Sequence, residues 1–101
     1  MAVRFDIPES AFADPSWEPT DCSVLTREDD RVDMYCHYSE RRVAVADSVE
    51  EAEAALRLAV VKGMEASIAE RGPNRFLEDM LERSRRALRD SDHKVEFLFA
   101  D

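Results

Sequence analysis

A chain of 101 residues with 45% hydrophobic residues is long enough for one domain with a single modest core, and it falls outside the disordered class. The net charge of −9, from 23 acidic and 14 basic residues, argues against direct binding to nucleic acid, because phosphates would be repelled. The first residues contain no apolar run of signal-peptide length, and no stretch approaches the roughly 20 apolar residues of a membrane span. We therefore predict a single cytoplasmic domain over 1–101. Its two cysteines are expected to be free thiols, and a disulfide between them is the alternative.

The negative charge is concentrated at the start of the chain. Residues 1–30 contain eight acids and two bases and carry −6 of the net −9, whereas 31–47 and 73–92 each sum to zero. Acidity confined to one segment indicates a binding surface, while evenly spread acidity mainly serves solubility. Charge is therefore the main functional signal in this sequence.

The chain begins with a predicted strand. Val3, Phe5 and Ile7 alternate with less apolar residues, which is the period of a half-buried strand, and Pro8 ends it. Residues 8–21 then read as an irregular, acidic, Pro-rich loop with no periodicity. A loop of this length is unusual in a small domain and favours a functional segment.

Three further strands are predicted as an antiparallel meander, at 22–27, 31–39 and 42–46. The polar residues between them favour two-residue turns at Asp29-Asp30 and Glu40-Arg41.

These turns set the expected register, with Leu25 opposite Met34 and Cys36 opposite Val45. One face of the sheet is then apolar and collects Leu25, Val32, Met34, Cys36, Tyr38, Val43 and Val45. The other face is mixed and collects Val24, Thr26, Asp33, Tyr35 and His37. This division predicts an antiparallel sheet that is covered on one side.

Two helices are predicted after the meander. Ser48 and Glu51 form a capping box that starts a helix extending to about Arg71, and Gly72-Pro73 separates it from a second helix at about 74–90. The apolar stripe of the first helix comprises Ala52, Leu56, Ala59, Val60, Met64 and Ile68. The sharper stripe of the second comprises Phe76, Leu77, Met80, Leu81, Ser84 and Leu88.

A last strand is predicted over 95–99 from its alternating apolar residues. Antiparallel pairing with the first strand sets Arg4 opposite Glu96 and Asp6 opposite Lys94, so we expect the two termini to pair in this way. The predicted fold is a two-layer α+β sandwich of order β-β-β-β-α-α-β, with an antiparallel sheet of about five strands and two helices on one face.

The sequence predicts neither catalysis nor a cofactor. Cys36 and His37 are neighbours in a strand and point to opposite faces, so they do not suit one metal ion, and common zinc spacings are absent. Asp33, Tyr35 and His37 share one side of a strand, where an acid–base site is conceivable, but no pocket or phosphate-binding loop is indicated. We therefore predict no enzymatic activity, no cofactor and no metal.

Trp17 allows two interpretations. It lies in the acidic Pro-rich loop, with Phe12 nearby, and in one interpretation it is an aromatic anchor for a partner, ringed by carboxylates. In the other, the loop folds back and Trp17 plugs one end of the core.

Four arginines in the second helix also allow two interpretations. Arg83, Arg85, Arg86 and Arg89 either bind phosphate or a carboxylate-rich partner, or form a solvated face neutralised by neighbouring acids. The spacing of Asp79 to Arg83, and of Glu82 to Arg86, favours the second interpretation.

The sequence therefore predicts a non-enzymatic protein-binding module. Its acidic surface is expected to dock on a basic nucleic-acid-handling protein and inhibit it by nucleic-acid mimicry, in the manner of small anti-restriction or anti-CRISPR inhibitors. The predicted partner-binding residues are Asp14, Trp17, Glu18, Asp21, Glu28, Asp29 and Asp30. The alternative is a homo-oligomeric assembly module, such as a homodimer, that uses a strand edge or the mixed sheet face.

Overall fold

The computed structural model describes residues 2–13, 22–37, 40–90 and 95–100. Its strands are β1 (Ala2–Phe5), β2 (Cys22–Thr26), β3 (Val32–Cys36), β4 (Arg41–Ala46) and β5 (Glu96–Leu98). Its helices are α1 (Val49–Arg71) and α2 (Arg75–Arg89), and a short 3-10 helix lies at Glu9–Ala13. The predicted α+β class and element order are confirmed.

The five strands form one mixed sheet in the order β2-β3-β4-β1-β5. β1, β2 and β3 each make antiparallel pairs, but β1 and β5 run parallel, so the predicted antiparallel pairing of the termini is wrong. The connection explains the direction. The two helices carry the chain away from the end of β4 and back again, so β5 starts where β4 stops and runs opposite to it. Since β1 also runs opposite to β4, β1 and β5 are parallel.

Apolar packing outweighs the charge pairing that was expected for the terminal strands. Val3 is the cross-strand partner of Phe97, and the Phe5 ring lies 6.1 Å from that of Phe97 and 5.1 Å from that of Phe99, between centroids. Burial of a phenylalanine contributes about 1.5–3 kcal/mol, whereas a cross-strand charge pair contributes roughly 0.2–1 kcal/mol. The register therefore follows the aromatic side chains.

The segment after β1 is more ordered than the sequence indicated. Residues 9–13 form the 3-10 helix instead of irregular loop, and the Ala11 amide donates to the Pro8 carbonyl at 3.0 Å. Phe12 points into the core, with its ring 5.5 Å from Phe5 and 5.8 Å from Phe99. Phe12 is thus a core residue and no part of an exposed aromatic anchor.

The β2–β3 hairpin has a three-residue loop where two residues were predicted. Val24, not Leu25, pairs with Met34, and the Arg27 amide donates to the Arg31 carbonyl at 2.7 Å. Asp30 takes a φ of 64°, which suits the left-handed position that ends such a loop. Because one extra residue reverses every side chain, Leu25 lies on the outer face and is 47% exposed.

The β3–β4 hairpin also departs from the predicted register. β3 ends at Cys36 instead of residue 39, and Cys36 pairs with Arg41 instead of Val45. The register of the β3–β4 pair shifts between Met34 and Tyr35, which is characteristic of a β-bulge. Val45 is buried, but it pairs with Asp33 on the outer face of the sheet. The expected core position of Tyr38 lies outside the described residues.

The core lies between the sheet and α1. It contains the predicted Val3, Phe5, Ile7, Val32, Met34, Cys36 and Val43, together with Phe12. The small side chains of Ala52, Ala55 and Ala59 let α1 approach the strands closely. Val60, Met64 and Ile68 are only half-buried, so the sheet-facing stripe of α1 is narrower than predicted.

α2 packs on α1 and forms a third tier instead of covering the sheet. Leu81 is buried in this contact, but Phe76 is 72% exposed and Met80 is 41% exposed. The strong apolar stripe of α2 is therefore only partly used. Among the described residues, neither helix combines the length and the hydropathy that crossing a membrane would need.

Candidate protein-binding surface

The sheet register brings two separate segments to the same end of the molecule. Thr26, Val32 and Ala46 are partners in one row across β2, β3 and β4. Strands lie about 4.8 Å apart, so the β2–β3 turn and the junction between β4 and α1 emerge within roughly 10 Å of each other.

This end of the molecule, which we call the acidic end, carries six exposed carboxylates. They are Glu28, Asp29, Asp30, Asp47, Glu50 and Glu53. The bases beside them in the turn are Arg27 and Arg31. Glu28, Asp29 and Asp30 belong to the predicted partner-binding residues. The three carboxylates at or just before the start of α1 were not predicted to bind a partner.

Within the described part of the chain, an ion pair neutralises only Asp29 among these six carboxylates. Arg27 binds Asp29 at 2.9 Å and also lies 3.4 Å from Asp33 on β3, while the Arg31 amide donates to Asp29 at 3.2 Å. Among the described residues, the other five carboxylates of the acidic end have no ion-pair partner. The negative field of this end is therefore largely uncompensated.

Local structure holds the second half of the acidic end in place. The Ser48 hydroxyl accepts the Glu51 amide at 3.2 Å, which confirms the predicted cap, and the Glu51 carboxylate accepts the Asp47 amide at 3.3 Å. The other carboxylate oxygen of Glu51 is buried with no hydrogen-bond partner. Glu50 and Glu53 lie in the first turns of α1, where the positive end of the helix dipole favours their charge.

The acids that follow β1 behave differently. Asp6 accepts from Arg42 at 2.8 Å and lies 3.7 Å from Arg4, and Glu9 lies 3.1 Å from Lys62 on α1. Bases from distant parts of the chain thus offset part of the acidity that the sequence places in residues 1–30.

Comparison with known proteins adds no family. The chain matches no protein-family model, and no curated protein or solved structure is significantly similar to it. The function is therefore argued from the geometry of the chain itself.

Four of the predicted partner-binding residues lie outside the described part of the chain, namely Asp14, Trp17, Glu18 and Asp21. Both interpretations of Trp17 therefore stay open. Cys22, the first residue of β2, lies roughly 13 Å along the strand from Thr26 and hence from the β2–β3 turn.

A polar cluster on the outer face of the sheet was expected from the spacing along β3. Tyr35 and His37 do share that face, with ring centroids 5.2 Å apart, and the Ser23 hydroxyl lies 2.7 Å from Nε2 of His37. Asp33, the remaining member, is engaged by Arg27. The Ser23–His37 contact lies on an exposed strand surface.

Within the described ranges, no three His, Cys, Asp or Glu residues are grouped in a way that suits a metal ion.

The four arginines near the end of α2 lie in ion pairs with acids, and two of these pairs have the predicted spacing. Arg83 lies 3.2 Å from Asp79, and Arg86 and Arg89 lie 3.8 and 3.7 Å from Glu82. Arg85 reaches across to Glu65 of α1 at 3.1 Å. This supports the interpretation of a solvated, neutralised helix face.

Three residues of the acidic end escaped sequence reasoning because they lie some 20 positions beyond the acidic segment. Glu50 and Glu53 lie in the predicted first helix, which the structure confirms, and Asp47 lies just before its cap. Their proximity to Glu28 and Asp30 depends on the pairing of β2, β3 and β4. The only signal in the sequence is that both acidic groups flank predicted strand ends.

Proposed function

We propose that this protein is a non-enzymatic, cytoplasmic binding module that presents its acidic end to a basic partner protein. The observation that carries the proposal is the set of five exposed carboxylates on two adjoining segments that have no ion-pair partner among the described residues. A partner surface that binds nucleic acid is the complementary one, because it is built from Lys and Arg to receive closely spaced negative charges. Occupying it would exclude nucleic acid by competition, which is the inhibitor activity of the anti-restriction or anti-CRISPR type.

The rigidity of the acidic end supports this proposal. The turn is closed by the Arg27–Arg31 backbone hydrogen bond, and the α1 start is capped by Ser48. Carboxylates on preformed elements lose little conformational entropy when they dock, so more of the electrostatic attraction contributes to affinity. Charge complementarity also raises the association rate at low salt.

The test is an affinity capture from native lysate with three baits. The first is the wild type, and the second is an acidic-end variant that carries Glu28→Gln, Asp30→Asn, Asp47→Asn, Glu50→Gln and Glu53→Gln. The third is a control with the same loss of charge elsewhere, at Glu40, Glu70, Glu78, Asp79 and Glu82. We expect a basic nucleic-acid-binding protein on the wild-type and control baits, released by high salt and displaced by added nucleic acid, and absent from the acidic-end variant.

Retention of that partner by the acidic-end variant would refute the proposal, as would equal loss from the control variant. Circular dichroism of all three baits separates loss of binding from loss of fold.

A second candidate function, assembly with another copy of the chain, is favoured by the outer face of the sheet. Both helices lie on the opposite side of the sheet, and the outer face exposes Leu25 and Leu98, which are 47% and 44% exposed. An apolar contact of this kind predicts a dimer whose dissociation constant barely changes with salt, since screening acts on exposed charges. Sedimentation at low and high salt distinguishes it from charge-driven docking.

A further inference from the structure

The two cysteines of the chain meet across the β2–β3 ladder. Cys22, the first residue of β2, is the direct partner of Cys36, the last residue of β3. Facing residues of an antiparallel pair have Cα atoms about 4.5–5.5 Å apart, within the roughly 4.4–6.8 Å that a disulfide spans. Facing residues also project their side chains to the same side of the sheet.

This juxtaposition depends on the three-residue turn. A two-residue turn would set Cys22 opposite His37, and the two sulfur atoms would then lie on opposite faces of the sheet. The loop that ends at Asp30, with its φ of 64°, moves the register by one residue and brings Cys36 into the facing position.

The two thiols differ in accessibility. The Cys22 side chain is partly exposed at an edge strand of the described sheet, whereas Cys36 is fully buried in the core. A dissolved disulfide can therefore reach Cys22 more readily than Cys36.

We propose that Cys22 and Cys36 form a reversible cross-strand disulfide when the protein meets a disulfide oxidant such as oxidised glutathione. The Cys22 thiolate attacks one sulfur of the oxidant, forms a mixed disulfide and releases one glutathione thiolate. The Cys36 thiolate then attacks the sulfur of Cys22 and releases the second glutathione. The protein loses two protons and two electrons, and one oxidised glutathione becomes two reduced ones.

The partial exposure of Cys22 makes this disulfide reducible, because exposed disulfides have more oxidising potentials and are the labile ones. The bond would tether the start of β2 to its neighbour β3.

The test incubates the reduced full chain with oxidised glutathione and reads intact mass and remaining thiols. We expect both thiols to disappear, the mass to fall by two hydrogens without a glutathione adduct, and the protein to remain a single chain. Peptide mapping should join the peptides of Cys22 and Cys36, and added dithiothreitol should restore both thiols. The melting temperature of the oxidised form should be higher, because the bond constrains the unfolded chain.

Two alanine variants check the order of events. Cys36→Ala should accumulate a stable glutathione adduct on Cys22, because no second thiol resolves it. In Cys22→Ala, Cys36 should remain a thiol. Circular dichroism verifies that this variant is folded.

A wild type that stops at the glutathione adduct, that forms disulfide-linked dimers or that keeps both thiols would overturn the proposal. The intact-mass result needs neither variant, so a variant that fails to fold does not decide the outcome.

Discussion

Two groups of carboxylates in this protein have similar sequence surroundings and different structural roles. Asp6 and Glu9 follow the first strand and are offset by Arg42 and Lys62, which approach from the neighbouring strand and from α1. The acidic end carries five carboxylates with no such partner among the described residues, and part of it comes from the start of α1. An acidic run in a sequence therefore does not by itself locate an acidic surface. Bases from distant segments pair with some of its carboxylates, and strand register brings in carboxylates from elsewhere in the chain.

The largest effect on stability is expected at Phe12, which joins the 3-10 helix that carries the ion-paired Glu9 to the core. Phe12→Ala should lower the free energy of unfolding by about 3–5 kcal/mol, because the ring is buried against Phe5 and Phe99 in the same packing that seats the 3-10 helix. Phe76→Ala is the matched control and should change it by less than about 0.5 kcal/mol, because that ring is mostly exposed. Urea unfolding measures both changes. A small loss of unfolding free energy in the Phe12 variant would mean that Phe12 lies at the surface and not in the core.

A smaller effect is expected at the helix cap that holds the second half of the acidic end. Ser48→Ala should lower the free energy of unfolding by about 1 kcal/mol, because the Glu51 amide loses its acceptor at the start of α1. Ser67→Ala, inside the same helix, should change it by less than about 0.5 kcal/mol, and not downward, because alanine favours helix. Equal losses at both serines in thermal or urea unfolding would mean that the cap does not hold this end.

The smallest effects separate the two groups of carboxylates directly. In a double-mutant cycle, Asp6→Asn and Arg42→Gln should couple by about 0.5–1 kcal/mol, and the coupling should shrink in high salt because both groups are partly exposed. Combined Glu28→Gln and Asp30→Asn should alter stability by less than about 0.5 kcal/mol, because neither carboxylate has a partner to lose among the described residues.

A clear loss of stability in the turn variant would place Glu28 or Asp30 in the paired group and would weaken the proposed function. Asparagine is used at position 30 because it tolerates the left-handed backbone that Asp30 adopts there.

Comparison of α1 with α2 shows why the apolar pattern predicts a helix better than it predicts what the helix covers. The stripe of α2 is sharp, yet Phe76 and Met80 remain exposed because α2 contacts only one neighbour of substance, α1. The pattern of α1 is more diffuse because this helix lies between the sheet and α2 and buries residues toward both. A stripe indicates that one face is apolar, and the number of neighbouring elements decides how much of that face is buried.

The register errors have a similar origin. The alternation that identified β2 and β3 was read correctly, but the turn between them holds three residues, and that single residue moved Leu25 outward and Val24 inward. Nothing in the Glu28-Asp29-Asp30 segment distinguishes the two loop lengths, because Asp suits both. The same residue brought Cys22 opposite Cys36, so sequence reasoning left a disulfide open but did not predict that the two cysteines face each other.

The sequence alone determined the features that depend only on residues close together in the chain. Ser48 starts α1, Gly72 ends it with a φ of 90° that only glycine adopts readily, and the alternation of Val3, Phe5 and Ile7 marks a core strand. The parallel pairing of β1 with β5 and the assembly of the acidic end came from the folded chain. Each depends on contacts between distant segments, where burial of the Phe5 cluster outweighs surface charge and the path of α1 and α2 sets the direction of β5.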